Sequence, residues 1–246
     1  KYSQDYLESL ETLKHEHPEV TFYKQGVSIY MDVRHNCLIS KNKLISFFTD
    51  DNIFYAGFST NDFYQILYNP DFPCCCISLR LGKNISKRFH QGEEEADLPL
   101  HGFESGGFLV VPKTKYPYGS YWSYSHSVDG HIFRKEDIMH MMSELEYLDK
   151  KFKFKQTPNE FEAQMQRFWP LSHNLIVCPY HSVVVNSPNN RVSDSHNDNV
   201  AGETYSYTND FLLGKYVGGK RIDIELLDFN NIVCPHQEIN ILEGLI

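Results

Sequence analysis

Charged and aliphatic side chains alternate strictly over residues 221–225, Arg-Ile-Asp-Ile-Glu, the two-residue period of a strand with one dry and one wet face. Asn230-Asn231 supplies a turn, Pro235 closes Ile232-Val233-Cys234, and residues 238–242 repeat the alternation. A C-terminal strand pair is predicted. Val27, Ile29, Met31 and Val33 share a face in the same way, and with a turn at Arg34-His35-Asn36 and a return through Cys37-Leu38-Ile39 they predict a hairpin. Residues 44–48 and 53–55 continue the meander across Thr49-Asp-Asp-Asn52, and 74–81, 173–178 and 181–186 read as further strands. Between 82 and 130 loops dominate, with short strands near 108–111 and 121–126.

Helical spacing separates these strands. Residues 3–15 carry Tyr6, Leu7, Leu10 and Leu13 as a narrow apolar stripe, with Ser3 as N-cap and Lys14-His15 at the end. A helix of this length is marginal alone, so the stripe docks on its own domain or on a neighbouring chain. Residues 59–68 form a short helix capped by Ser59 or Thr60; 135–148 place Ile138, Met141, Met142, Leu145 and Leu148 at helical spacing. Thr157-Pro-Asn-Glu160 is a capping box that launches a helix to Trp169. Thr208 caps a last helix closed by Gly218-Gly219. Many short strands with helices inserted between them favour a mainly β, α+β chain: an antiparallel β-sandwich flanked by helices, with a protruding N-terminal amphipathic helix. No linker divides the 246 residues, so one domain is expected, an arm over 1–18 and a core over 19–246.

Composition sharpens this. Sixteen Tyr and 17 Phe are many for this length; tyrosine buries area yet keeps a polar tip, which suits surfaces that bind surfaces. A formal charge of −9 argues against general nucleic-acid binding. No apolar run approaches a membrane span, and the first residues are not those of a signal peptide. Cys37, Cys74, Cys75, Cys76, Cys178 and Cys234 lack a disulfide-framework spacing and predict free thiols in a reducing compartment. The sequon at Asn84-Ile-Ser86 is then a chance match.

Candidate chemistry is thin. Cys178 and His181, with Asp194 or Asp198 as orienter, could seed a nucleophile pair, but no helix N-terminus or elbow activates the thiol. His196-Asn-Asp198 and Cys74-Cys75-Cys76 lack zinc-ligand spacing, and no metal or catalytic site is expected. The run 150–155, Lys-Lys-Phe-Lys-Phe-Lys, reads as an exposed strand or extended linker, lysines out and phenylalanines in. No phosphate-cradling loop, nucleophile elbow or paired-carboxylate motif occurs.

The order of segments then carries a resemblance. After the N-terminal helix come Val27-Ser-Ile-Tyr-Met31 and Leu38-Ile-Ser-Lys-Asn-Lys43; later Ser172-His-Asn-Leu-Ile-Val-Cys-Pro-Tyr-His-Ser-Val-Val-Val-Asn186, Ser195-His-Asn197, Phe211-Leu-Leu213 and Ile222-Asp-Ile-Glu-Leu-Leu-Asp-Phe229. Over residues 1–45 and 171–246 the chain resembles the polyhedrins of cypoviruses. The resemblance implies a structural protein, not an enzyme. Its homotrimers would pack into a lattice in the cytoplasm of the infected insect cell, forming occlusion bodies that embed and protect virions and dissolve in alkali. It also implies a lattice-contact arm, here Tyr6, Leu7, Leu10 and Leu13, and lattice-bound nucleotides whose contacts it does not assign. Tyrosine ionises near pH ~10, so Tyr2, Tyr6, Tyr116, Tyr118, Tyr121 and Tyr124 are the candidate alkaline-release groups. Two rivals stay open: a Cys/His-dependent hydrolase using Cys178 and His181, and a soluble viral coat protein forming closed shells.

Overall fold

The computed structural model describes residues 3–87, 99, 101–117, 119–189, 202 and 204–246. The chain divides into two compact units, the larger made of Gln25–Asn186 and Ile232–Gln237, the smaller of Lys1–Lys24, Ser187–Asn231 and Glu238–Ile246.

In the larger unit, six strands form one sheet: β1 (Leu44–Phe47), β3 (Cys74–Ser78), β4 (Phe103–Ser105), β5 (Phe108–Pro112), β6 (His131–Arg134) and β7 (Leu175–Pro179), in the order β1-β6-β3-β7-β5-β4. β2 (Asn52–Phe54) and β8 (Val184–Asn186) make a separate antiparallel ribbon. All neighbours in the large sheet are antiparallel except β3 and β7, which run parallel with Ile77 opposite Val177. The helices of this unit are α2 (Ile29–Ile39), α3 (Thr60–Leu67), α4 (Lys135–Phe152) and α5 (Pro158–Met165).

Neighbouring strand residues point to opposite faces, and the sheet uses both. Ile176 and Phe133 pack with Tyr30 of α2, Met142 and Leu145 of α4 and Phe161 of α5. Their neighbours Val177 and Ile132 pack with Phe63 and Leu67 of α3. The register of β3 against β7 shifts between Cys74 and Cys76, and the bulge sends Cys75 and Cys76 into the first cluster while Cys74 and Ile77 join the second. The triple cysteine is thus small apolar filling at an irregularity of the central strand.

The fold is α+β, and it corrects the expected antiparallel sandwich in the arrangement of its strands: the main sheet is mixed and layered with helices. A parallel pair needs a long crossover that packs on the sheet; here the chain between β3 and β7 supplies α4 and α5. The hairpin expected from Val27 to Ile39 is helix α2 instead. Ile29, Tyr30, Val33 and Cys37 also sit at helical spacing, and a short apolar run does not fix its period by itself. The helix start is held from elsewhere: Gln156 Oε1 accepts from the Ile29 amide at 2.8 Å, and Asp32 Oδ2 accepts from the Gly26 amide at 2.7 Å. Residues 121–126 form turns rather than a strand. In the basic run, Lys153 closes α4 in the left-handed conformation at φ 56°; Phe154 turns inward beside Tyr30 and Phe152 stays outside.

The smaller unit contains α1 (Gln4–Glu16) and α6 (Asn209–Val217). Local caps start both helices: Ser3 Oγ accepts from the Tyr6 amide and Thr208 Oγ1 from the Phe211 amide, each at 3.2 Å. The expected C-terminal strand pair shrinks to a short ladder. Arg221 and Ile246 exchange backbone bonds, Asp223 N donates to Gly244 O at 2.7 Å, and Ile222 bridges Leu245. Beyond it the chain turns into 3₁₀ segments at Ile224–Leu226 and Ile241–Gly244. Asp223 Oδ1 accepts from the Glu225 amide at 3.0 Å, a local bond that competes with strand pairing. Gly244 is required here, because a Cβ would lie 2.5 Å from Asp223 O.

Candidate functional site

The residues expected to form an arm lie on α1, and no residue of that helix is buried. Leu10 and Leu13 are half-buried, while Tyr6 and Leu7 are 41% and 45% exposed. α1 lies against α6, and its end is tied by Glu16, which pairs with Arg221 and accepts from Tyr216 Oη at 2.9 Å. The Arg221 guanidinium sits over the Tyr216 ring at 3.9 Å. These donors outweigh desolvation and hold the Glu16 carboxyl below its usual range.

A second helix leaves apolar side chains in solvent. α2 buries Tyr30 and Cys37 yet exposes Met31, Leu38 and Ile39, and Val27 just ahead of it is 95% exposed. A helix apolar on most of its circumference is ordinarily covered on most of it. The sequence hides this surface because residues 27–39 read as a hairpin; the helical spacing of Tyr30, Val33 and Cys37 is the available signal. Elsewhere in the larger unit Leu171 is 81% exposed and Tyr147 67%.

The candidate alkaline-release tyrosines do not gather on one outer face. Tyr6 is at the surface, Tyr116 is buried with its Oη accepting from the His101 amide at 3.2 Å, and Tyr121 and Tyr124 are half-buried on the wall of a partly open pocket. Tyr2 and Tyr118 lie outside the described residues. Other phenols are held above their usual range. Burial pushes Tyr30 up to about 12, with the charges of Asp149 and Glu160 acting the same way. Tyr68 is raised by burial and by its 2.7 Å hydrogen bond to Glu136, and burial raises Tyr55, Tyr207 and Tyr216. Alkali therefore acts on the interior of the molecule as well as on its surface.

The proposed nucleophile pair does not form. The Cys178 thiol is fully buried, burial raises its pKa, and its Sγ lies 3.7 Å from Leu109 O, while His181 is exposed. A thiol in such surroundings is inert. Asp194, His196 and Asp198 lie outside the described residues. All six cysteines are buried and none forms a disulfide, and no metal-binding cluster of His, Cys, Asp or Glu occurs among the described residues. Among those residues no helix is long and apolar enough to cross a membrane.

Comparison with protein-family models, curated proteins and solved structures finds no match to this chain.

Proposed function

We propose that this chain is a structural protein that assembles with copies of itself, in the manner of the cypovirus polyhedrins it resembles. The observation that carries the reading is that two helices keep apolar side chains in water. No residue of α1 is fully buried, and α2 displays Met31, Leu38 and Ile39 behind a bare Val27. Covering such groups yields about 25 cal/mol per Å² of apolar surface, and repetition in a lattice multiplies that gain.

In this reading α1 is the arm that docks on a neighbouring copy through Tyr6, Leu7, Leu10 and Leu13, within trimers that pack into occlusion bodies in the host cytoplasm around virions. The buried thiols, none of them in a disulfide, suit a reducing compartment, and the raised tyrosines suit release in alkali. Lattice-bound nucleotides remain part of the family expectation without assigned contacts. The inert surroundings of Cys178 weigh against the hydrolase alternative. A closed-shell coat protein would use the same apolar faces and differs in the shape of its assemblies.

Expression of the full chain in insect cells, viewed by light microscopy, tests this. Refractile crystals are expected from the intact chain, and a folded, soluble protein without crystals from a chain lacking residues 3–15. Dispersed intact protein at high expression, or normal crystals from the shortened chain, would remove the lattice reading.

A further inference from the structure

Five side chains from distant parts of the larger unit close a ring of hydrogen bonds. Arg80 Nη1 lies 3.3 Å from Asp129 Oδ2 and 3.0 Å from His236 Nε2. Thr49 Oγ1 donates to Asp129 Oδ1 at 2.6 Å, Asn186 Nδ2 donates to Thr49 Oγ1 at 3.2 Å, and Asn186 Oδ1 faces His236 Nδ1 at 3.1 Å. Backbone bonds hold His236 beside β8: Asn186 N donates to Pro235 O at 2.9 Å, and Gln237 N to Asn186 O at 3.0 Å. Because Arg80 only donates, Nε2 of His236 accepts and Nδ1 carries the proton. Burial, helped by the Arg80 charge, pushes His236 down to about 4, in keeping with a neutral ring.

The ring leaves one donor over. The Arg80 side chain is 3% exposed, yet its Nε–H has no partner. Arg80 also lines a partly open cavity of about 240 Å³, with Gly119, Tyr121, Tyr124, Asp129, Glu162 and His236. The Tyr121 ring lies 5.4 Å from the Arg80 guanidinium and 5.8 Å from the His236 ring. Glu162 Oε1 accepts from the Val128 amide at 3.1 Å; burial and the negative charge of Asp129 hold its carboxyl above the usual range. The Asp129 carboxyl resists the push of its own burial, because Arg80, His236, Thr49 and Asn52 favour its charged form.

We propose that this pocket binds a small, uncharged, hydroxyl-rich molecule the size of a single sugar ring. The wall mixes donors and acceptors: Asp129 is paired with Arg80 at 3.3 Å, His236 accepts from Arg80 through Nε2, and Glu162 adds a carboxyl raised by burial. An anion would meet the Asp129 carboxylate, and a cation would meet the Arg80 guanidinium. Hydroxyl groups instead meet both donors and acceptors, and two tyrosine rings supply amphipathic walls. The volume lies below the range of about 300–1,000 Å³ usual for drug-sized ligands, which fits one ring and not a nucleotide. This site stands independently of self-assembly.

Isothermal titration calorimetry of the full chain with glucose, galactose and mannose tests it, with inorganic phosphate and methylammonium as charged probes. Saturable one-site binding of a neutral sugar is expected, weakened about tenfold or more by Tyr121→Ala. Glu162→Gln, which keeps an oxygen for the Val128 amide, serves as the second variant should Tyr121→Ala not fold, and is expected to weaken binding as well. Absence of binding by all three sugars would overturn the proposal. So would tighter binding of phosphate or methylammonium, or sugar binding unchanged in the folded variants.

Discussion

The larger unit buries Ile138, Met141, Met142 and Leu145 of α4 against a sheet, whereas the smaller unit buries no residue of either of its helices, α1 or α6. Among the described residues, what lies inside the smaller unit is Leu227 and Ile239, accompanied by Ser187, Asn189 and Glu238. Polar staples do the holding there. Asn189 Nδ2 donates to Ile239 O at 2.7 Å, and Ser187 Oγ accepts from the Ile239 amide at 2.8 Å. One unit is a hydrophobic core with a polar ring set into it; the other is a hydrogen-bonded wrap. A net hydrogen bond stabilises by about 1 kcal/mol, a fully buried large apolar side chain by about 1.5–3 kcal/mol. The smaller unit thus has less apolar burial to hold it.

The widest separation between the two units is expected in acid. Burial holds His126 and His131 down to about 3 and His236 down to about 4, all in the larger unit. An unfolded histidine titrates near ~6.5. As pH falls below that value the unfolded chain takes up protons that the folded one refuses, so stability drops until pH passes below the folded values. Every tenfold difference in proton affinity between the folded and unfolded chain is worth about 1.4 kcal/mol. All three act in the same direction, so acid opposes the folded larger unit. Trp122 and Trp169 both belong to the larger unit, so tryptophan fluorescence reports on it alone. A cooperative fluorescence change between about pH 6 and 4 is expected; native fluorescence persisting to about pH 3 would contradict it.

A smaller effect is expected in alkali. The Tyr30 phenol is held up to about 12, above the ~10 of an unfolded tyrosine. Above pH ~10 the unfolded chain loses the proton first, and stability falls by roughly 2 kcal/mol by pH ~12. Tyr30 Oη is buried without a hydrogen-bond partner, so Tyr30→Phe is expected to leave stability at pH 7 unchanged or slightly raised. Urea unfolding of the variant should lose less stability between pH ~9 and ~12 than the parent chain. Parallel pH curves for the two proteins would assign the alkaline response elsewhere.

How much of this is legible in the sequence follows from the range of each cause. Helix starts at Ser3, Thr157 and Thr208 are readable because the capping oxygen and the amide it receives are three residues apart. α4 is readable because its buried stripe, Ile138, Met141, Met142 and Leu145, keeps one helical period over two turns. α2 is not, since its start is fixed by Gln156, 127 residues away. The parallel register of Ile77 with Val177 leaves no local trace, and without it the strands read as an antiparallel set. The polar ring is illegible for the same reason: Thr49, Arg80, Asp129, Asn186 and His236 share no motif and meet only after folding. Tyr121 and Tyr124 read as part of a short strand and as alkaline-release candidates, and folding puts them in turns on a cavity wall.

The finest contrast between the units lies in Glu238 of the smaller one. Its Oε2 accepts from the backbone amides of Thr204 at 2.9 Å and Tyr205 at 2.6 Å, and the residue is buried. Glu238→Ala strips both amides of this acceptor, at a cost of about 1–3 kcal/mol; Glu238→Gln keeps a carbonyl oxygen and loses only the charge. Opening is local where few apolar contacts oppose it, so the loss should appear as faster hydrogen exchange at Thr204, Tyr205 and α6. The amides of β3 and β7 should keep their protection, because their burial does not depend on this carboxylate. Exchange rising equally in the central sheet would show that the two units open together, and that the polar wrap contributes to the stability of the core.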